Sequence, residues 1–319
     1  MPNPLLSVEN LNVSYKTERK YSKDNHSGYE VVKGVSFSIN SSEIFGLIGE
    51  SGCGKTTTAK AISGLLKHSG SIKLNGKDLA SSSRKINSSR IQMIFQNPYN
   101  SLNPTMRIGR ILEEPLIIHG YHSSYTRLEK VKAMLNIVGL DESYISRFTR
   151  ELSGGERQRI AIGCALMLNP ELIVADEILS ALDVSVQSAI LNMLSELNSV
   201  REVAFLFISH DINVVSYFCD RIAVMYKGEI VEVGNTVDVY NSPLHPYTAA
   251  LIRSVPRIDK VIELDDPVLN EIPLHNQGCA YAKYCPSFAC ECLTIKISIN
   301  SIDNRQVRCI KYSKGVETL

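Results

Sequence analysis

No apolar run in this chain approaches the roughly 18–20 residues that a membrane-spanning helix needs. The longest, around Val203–Ile208 and Leu172–Ala175, have the length of buried strands. The N-terminus, "MPNPLLSVENL", lacks the basic start and apolar core of a secretory leader. A surplus of positive charge is missing as well. Lys and Arg number 34 against 33 Asp and Glu, a formal net charge of +1, whereas a nucleic-acid surface requires a basic patch and a high pI. These absences predict a protein of the cytosol, or one peripheral on the cytosolic face of a membrane, with no nucleic-acid partner. At 319 residues the chain has ample length for a buried core, as one large domain or a domain with an appendage.

Cysteine is sparse along most of the chain and crowded at its end. Cys53, Cys164 and Cys219 are scattered, while Cys279, Cys285, Cys290, Cys292 and Cys309 share the tail. Structural disulfides do not suit a cytosolic chain, so the cluster reads as metal or redox chemistry.

The rest of the chain alternates between strand and helix patterns. Residues 5–15 and 31–38 read as strands separated by a polar insertion, and Asn75-Gly76 in "SIKLNGKDL" signals a two-residue hairpin. Between Asn97 and Glu151 the pattern is helical. Leu128, Val131, Met134, Leu135 and Val138 keep one face, with Gly139 as a C-cap. "ELIVADE" and "VAFLFISH" read as buried parallel strands, with Val186, Ile190, Met193, Leu194 and Leu197 lining a helix between them. "RIAVMYKGEIVEVG" closes as a hairpin at Lys227-Gly228. From about residue 241 prolines break the periodicity, which places a domain boundary there: 1–241, then an extension over 242–319.

The chemistry starts with "GESGCGKTTTAK", Gly49 to Lys60, directly after the apolar run Ile44–Ile48. Gly49, Gly54, Lys55 and Thr56 satisfy the spacing of a phosphate-binding loop. Glycines let consecutive N–H groups converge on phosphate oxygens, and the following helix adds its positive end. Lys55 is placed to reach the β- and γ-phosphates, and Thr56 to ligate Mg²⁺. Ser51, Gly52 and Thr57 belong to the same loop. Asp176, at the end of "LIVADE", can hold Mg²⁺ beside Thr56, and Glu177 can polarise the attacking water as general base. "LSGGERQR", from Leu152 to Arg159, is a second anion site, in which Ser153, Gly154 and Gly155 open a helix. Two phosphate-recognising surfaces in one chain imply a head-to-tail dimer, each ATP lying between the loop of one subunit and the Ser-Gly-Gly of the other.

From residue 5 to about 240 this pattern resembles the ATP-binding cassette (ABC) ATPases. The resemblance implies an α/β P-loop NTPase with a RecA-like core, an antiparallel β subdomain and a helical subdomain over about 97–160. It further implies that Tyr15 stacks on adenine, that Gln96 in "IFQNP" links Mg²⁺ and water to a transmembrane partner, and that His210 in "ISHD" contacts the γ-phosphate. Asp183, in "SALD", would lie in the loop crossing the dimer interface, and Gln158 among the nucleotide contacts. Ile178-Leu179 and Gly163-Cys164 depart from the family pattern, which has Pro-Thr or Pro-Val and Ala-Arg there.

"FQNPYNSLNPTMRIGRILEEPL", "SALDVSVQ" and "SPLHPYTAALIRSVP" are similar to ATPase subunits of bacterial oligopeptide and dipeptide permeases and their nickel-importing relatives, in particular to the second ATPase of the usual pair. The implied assembly is a sister ATPase, two membrane permease subunits and an external solute-binding protein, with this chain on the cytoplasmic membrane face. Cargo could be peptide or a nickel or metal chelate, and the remaining alternative is a soluble ABC ATPase outside transport. Cys279, Cys285, Cys292 and Cys309 match the family's tail spacing, which implies a small Cys-rich extension holding a [4Fe–4S] cluster, a Zn²⁺ or no metal.

Overall fold

The computed structural model describes residues 3–15, 29–96, 101–180, 182–254 and 278–313. The polar insertion at 16–28, the "NPYN" of 97–100, Ala181 and the prolines at 256, 267 and 273 lie outside the described residues. The first two strands, β1 (Leu6–Tyr15) and β2 (Tyr29–Ile39), pair antiparallel. β3 (Ile44–Ile48) leaves for a second sheet, and β4 (Ser69–Leu74) and β5 (Lys77–Asp78) return to the first, in the order β2-β1-β4-β5. The expected hairpin stands between β4 and β5, with Asn75 and Gly76 at φ 51° and 73°, as its tight turn requires.

The second sheet carries the site. It adds β6 (Ile91–Ile94), β7 (Leu172–Asp176), β8 (Ala204–Ser209), β9 (Arg221–Tyr226), β10 (Glu229–Asn235), β11 (Asn300–Ile302) and β12 (Arg305–Val307) to β3. Their order is β11-β12-β10-β9-β3-β8-β7-β6. β9, β3, β8, β7 and β6 run parallel, while β10 turns back at Lys227-Gly228 as the sequence predicts.

β3, β7 and β8 are buried along their whole length, as parallel strands covered on both faces must be. Alternation sends Phe45, Leu47, Val174 and Leu206 toward the antiparallel sheet, where Phe45 stacks on Phe37 at 5.2 Å. Ile44, Ile48, Ile173 and Phe205 face the helices. Those helices are Ile108–Ile118, Ser124–Ile137 and Gly154–Leu166, joined to the core through Leu112, Leu135, Ile162 and Leu166. Gly139, at φ 70°, follows the second of them as the expected C-terminal turn. Leu128 departs from expectation. It is 42% exposed, one turn before Val131, where the packed stripe begins.

Among the described residues beyond 241, β11 and β12 join the second sheet. β12 pairs with β10 (Glu232 opposite Val307, Val233 opposite Gln306), and Arg308 donates to the Ile230 and Ile297 carbonyls. The helix Pro246–Arg253 packs beneath β9, with the Tyr247 ring 4.4 Å from that of Tyr226.

Candidate functional site

β3, β8, β7 and β6 are successive neighbours, and ligands in such sheets bind beyond the carboxyl ends of the strands. Sheet order therefore lines up, along one edge, the phosphate loop after β3, His210 after β8, Asp176 and Glu177 at the end of β7, and Gln96 after β6. In the loop, Gly49, Gly52 and Gly54 have φ of 152°, 81° and 112°. A Cβ on Gly49 would stand 2.2 Å from the Met225 carbonyl oxygen, so no other residue fits there. A Cβ on Gly52 would meet nothing within 4 Å, and Ser51 and Gly52 are exposed at the crest.

The helix Lys55–Ile62 starts from this loop. Lys55 is buried, and its Nζ donates to the carbonyls of Gly49 (2.7 Å) and Glu50 (2.9 Å). Tyr15 is half exposed, its hydroxyl 3.5 Å from that of Thr57. One residue that sequence reasoning missed also reaches the loop. The Glu50 N–H donates to the Tyr247 hydroxyl at 3.0 Å. The motif "SPLHPYTAAL" carries that residue, but nothing local in it points to the phosphate loop.

The Thr56 hydroxyl donates to Asp176 Oδ1 at 3.0 Å. Burial raises the Asp176 carboxyl above its ordinary range, the Thr56 hydrogen bond pulls it back, and the Glu177 charge pushes it up again. A hydroxyl and a buried carboxylate with a second carboxylate behind them form an oxygen donor set that gains from a hard cation, so the residues fit Mg²⁺.

Glu177 sits at φ 47°, a left-handed conformation that is costly for a residue with a Cβ and is held by surrounding bonds. Its N–H donates to the Ile208 carbonyl, and its own carbonyl accepts from the Ser180 hydroxyl. This turn aims the carboxylate between Gln96, whose Nε2 donates to it at 2.9 Å, and His210, whose Nδ1 lies 3.5 Å away. Ile178 and Leu179, the departures from the family pattern, are buried in the core on the helical side.

The second anion surface is built separately. Ser153 caps the helix Gly154–Leu166, its Oγ accepting from the Glu156 N–H while the Glu156 carboxylate accepts from the Ser153 N–H. Tyr144 also donates to Glu156, and that bond is the main reason the carboxyl lies below its usual range. A Cβ on Gly155 would stand 2.7 Å from Val186 Cγ1. Asp183 is exposed at the start of the helix Val184–Arg201. Among the described residues no hydrogen bond or ion pair links Ser153, Gly154 or Gly155 to the phosphate loop of the same chain. Gln158 does not share their surface. It is 1% exposed, with neither amide atom hydrogen-bonded, because its turn of the helix faces inward.

The cysteine tail corrects an expectation. Burial pushes the Cys279 thiol up to about 11, and the neighbouring thiols of Cys292, Cys285 and Cys309 act in the same direction. The four are thus near one another. Among the described residues, however, no group of three or more His, Cys, Asp or Glu is arranged to hold a metal ion. A [4Fe–4S] cluster or zinc on Cys279, Cys285, Cys292 and Cys309 is therefore not supported. Cys292 packs with Ala282, Ile297 and Ile310, and burial raises the thiols of Cys279, Cys285 and Cys309 above their ordinary range.

Residues 32–180 match the family model described as ABC transporter, and residues 231–292 match that of the oligopeptide/dipeptide transporter C-terminal region. The di/tripeptide transport ATP-binding protein DppF of Pseudomonas aeruginosa is 39% identical over 96% of this chain and 97% of its own length. The oligopeptide transport ATP-binding protein AppF of Bacillus subtilis is 43% identical over 81% of this chain and 82% of its own. Among solved structures, cbiO1 of Clostridium perfringens, part of the ABC transporter complex cbiONQ, is similar with a TM-score of 0.65 at 26% identity, over 75% of this chain and 92% of its own. The ATP-binding cassette MJ0796, in a dimeric post-hydrolysis state bound to ADP and Pi, gives 0.64 at 28% identity, over 72% and 98%. With these likenesses over nearly the whole chain, and the phosphate loop, acid pair and Ser-Gly-Gly helix in place, the chain belongs to the ABC transporter ATPases that carry the oligopeptide/dipeptide transporter C-terminal region.

Proposed function

We propose that this chain is the motor subunit of a bacterial importer of di- and oligopeptides, working at the cytoplasmic face of the membrane. Peptide cargo is supported by the relatives, which are named for di/tripeptide and oligopeptide transport. Its partners are a sister ATPase, two permease subunits and, indirectly, a solute-binding protein. Among the described residues no helix is long and apolar enough to cross a membrane.

Tyr15 stacks on adenine. The N–H groups of Ser51, Gly52, Gly54 and Thr57 receive the phosphates, and Lys55 moves its ammonium from the loop carbonyls to the β- and γ-phosphates. Mg²⁺ at Thr56 and Asp176 neutralises phosphate charge when bound. Ser153, Gly154, Gly155 and Asp183 complete the site of the opposed subunit. ATP favours the closed head-to-tail dimer, closure moves the helical segment next to Gln96 against the permease, and hydrolysis releases it. Transport is then a population shift set by ATP's preference for the closed state.

The observation that carries the chemistry is the Glu177 carboxylate, aimed by a strained turn and flanked by Gln96 and His210. From there it takes the proton of the attacking water as general base. Glu177→Gln should still bind ATP while turnover falls by about 10²–10⁴-fold, the worth of a positioned base. Near-normal hydrolysis by that variant would remove Glu177 from the role.

A further inference from the structure

The phosphate loop is tied to a residue 197 positions further along the chain. The Gly49–Glu50 peptide is one rigid plane with a hydrogen bond at each end. Its carbonyl accepts the Lys55 ammonium at 2.7 Å, and its N–H donates to the Tyr247 hydroxyl at 3.0 Å. The Glu50 carbonyl takes a second bond from the same ammonium, at 2.9 Å. At φ 152°, Gly49 occupies backbone space closed to other residues and has no side chain of its own to restrain the plane. Its orientation is therefore decided by what the two ends hold.

Tyr247 is well placed to decide it. The ring is 2% exposed and wedged between Tyr226, at 4.4 Å, and the edge of Tyr281, at 5.4 Å. The start of its helix is pinned as well. His245 Nδ1 accepts from the Tyr247 N–H, and the fully buried Glu232 carboxylate accepts from the N–H groups of Leu244 and His245, both at 2.9 Å. A hydroxyl on so constrained a scaffold has little freedom to follow the loop, so the loop follows it.

We propose that Tyr247 is a positioning residue for nucleotide binding: its hydroxyl orients the Gly49–Glu50 peptide and thereby the place from which Lys55 meets the phosphates, so that the C-terminal extension sets the affinity of the ATP site. Tyr247 touches neither nucleotide nor reacting atoms. Tyr281 lies two residues beyond Cys279, so the ring contact also joins the cysteine-rich tail to the loop. The inference rests on the loop as the ATP site and is independent of cargo.

The test is Tyr247→Phe in the full-length chain, which keeps the ring and removes the hydroxyl. Loss of one neutral hydrogen bond that preorganises the loop should raise the Kd and KM for MgATP by about three- to tenfold. The value of kcat should stay within about twofold, since Asp176 and Glu177 are held by other strands. Amide exchange at Glu50–Gly54 should quicken by a similar factor, with the melting temperature of the nucleotide-free chain nearly unchanged. A merely structural role would lower the melting temperature and leave no such split between KM and kcat. Tyr281→Leu removes the brace but keeps the hydroxyl, and should shift affinity and exchange in the same direction by a smaller factor. MgATP affinity and loop exchange unchanged in both variants would overturn the proposal. A wild-type chain that fails to bind MgATP would overturn the ATP site itself, and this inference with it.

Discussion

His245 is a histidine that the interior keeps neutral. It is 1% exposed, burial moves its pKa down to about 4, and the Arg308 charge acts in the same direction. Its Nδ1 accepts a hydrogen bond from the Tyr247 N–H, which a protonated ring cannot do. The unfolded chain takes up a proton near pH 6.5, while the folded one resists until about 4. Stability is therefore present above 6.5 and is lost as pH falls toward 4, by about 2 kcal/mol between pH 7 and 5. Glu232, packed on the same turn, is raised by burial and acts with the opposite sign above its ordinary range, while Glu229 and Lys296 line the adjoining small cavity. A comparison with His245→Asn isolates the histidine, because asparagine keeps an N-cap acceptor. In urea unfolding at pH 7 and 5, the Asn variant should lose about 2 kcal/mol less than wild type between the two. Equal losses would assign the acid sensitivity elsewhere.

Residues also differ in how legible they were. Asp176 ends a buried strand, Glu177, Gln96 and His210 follow the ends of their strands, and Lys55 and Thr56 open the helix after the loop that leaves β3, so strand order brings Thr56 to Asp176 and Gln96 and His210 to Glu177. Gln158, which is buried, and the tail cysteines were less legible for a common reason. Spacing along the chain does not say which way a side chain faces or whether a thiol is left ionisable.

At the scale of elements, the Ser-Gly-Gly helix and the helix Val184–Arg201 meet at Gly155 and Val186. The second glycine of the motif is thus a packing requirement as well as an open approach to phosphate. Gly155→Ala should cost about 1–3 kcal/mol through overpacking. Adding Val186→Ala should recover much of that loss, because the offending methyl is then gone. Thermal unfolding of the single and double variants reads this directly. A double variant no more stable than Gly155→Ala would show that the contact is not what demands glycine. The stripe Ile190, Met193, Leu194 and Leu197 is buried as periodicity indicated, but Leu128, read onto one face with Val131, is exposed, since a stripe says nothing about how far along it the neighbours extend.

For the whole molecule, the extension is part of the cassette's architecture. β11 and β12 lengthen the central sheet, and Tyr247 reaches back to the phosphate loop. Among the described residues no hydrogen bond or ion pair joins the phosphate loop to Ser153–Gly155, which supports the proposed opposition of two subunits. Gentle detergent extraction of tagged protein from its native membranes, followed by mass spectrometry, should recover two multi-span permeases and a second cassette ATPase. Ribosomal or DNA-repair proteins without membrane chains would leave the ATPase intact and remove the transport role.

By itself the sequence determined the nucleotide chemistry and the cassette fold. Phosphate loops, strand-ending carboxylates and a capped Ser-Gly-Gly helix are local arrangements whose residue types and spacings follow from backbone geometry. Only the tertiary structure decided that β12 pairs with β10, that Cys292 packs among Ala282, Ile297 and Ile310, and that a tyrosine in the extension holds the Gly49–Glu50 peptide. Each of these is a contact between segments far apart in the chain, set by which surfaces bury one another, and no short motif records it.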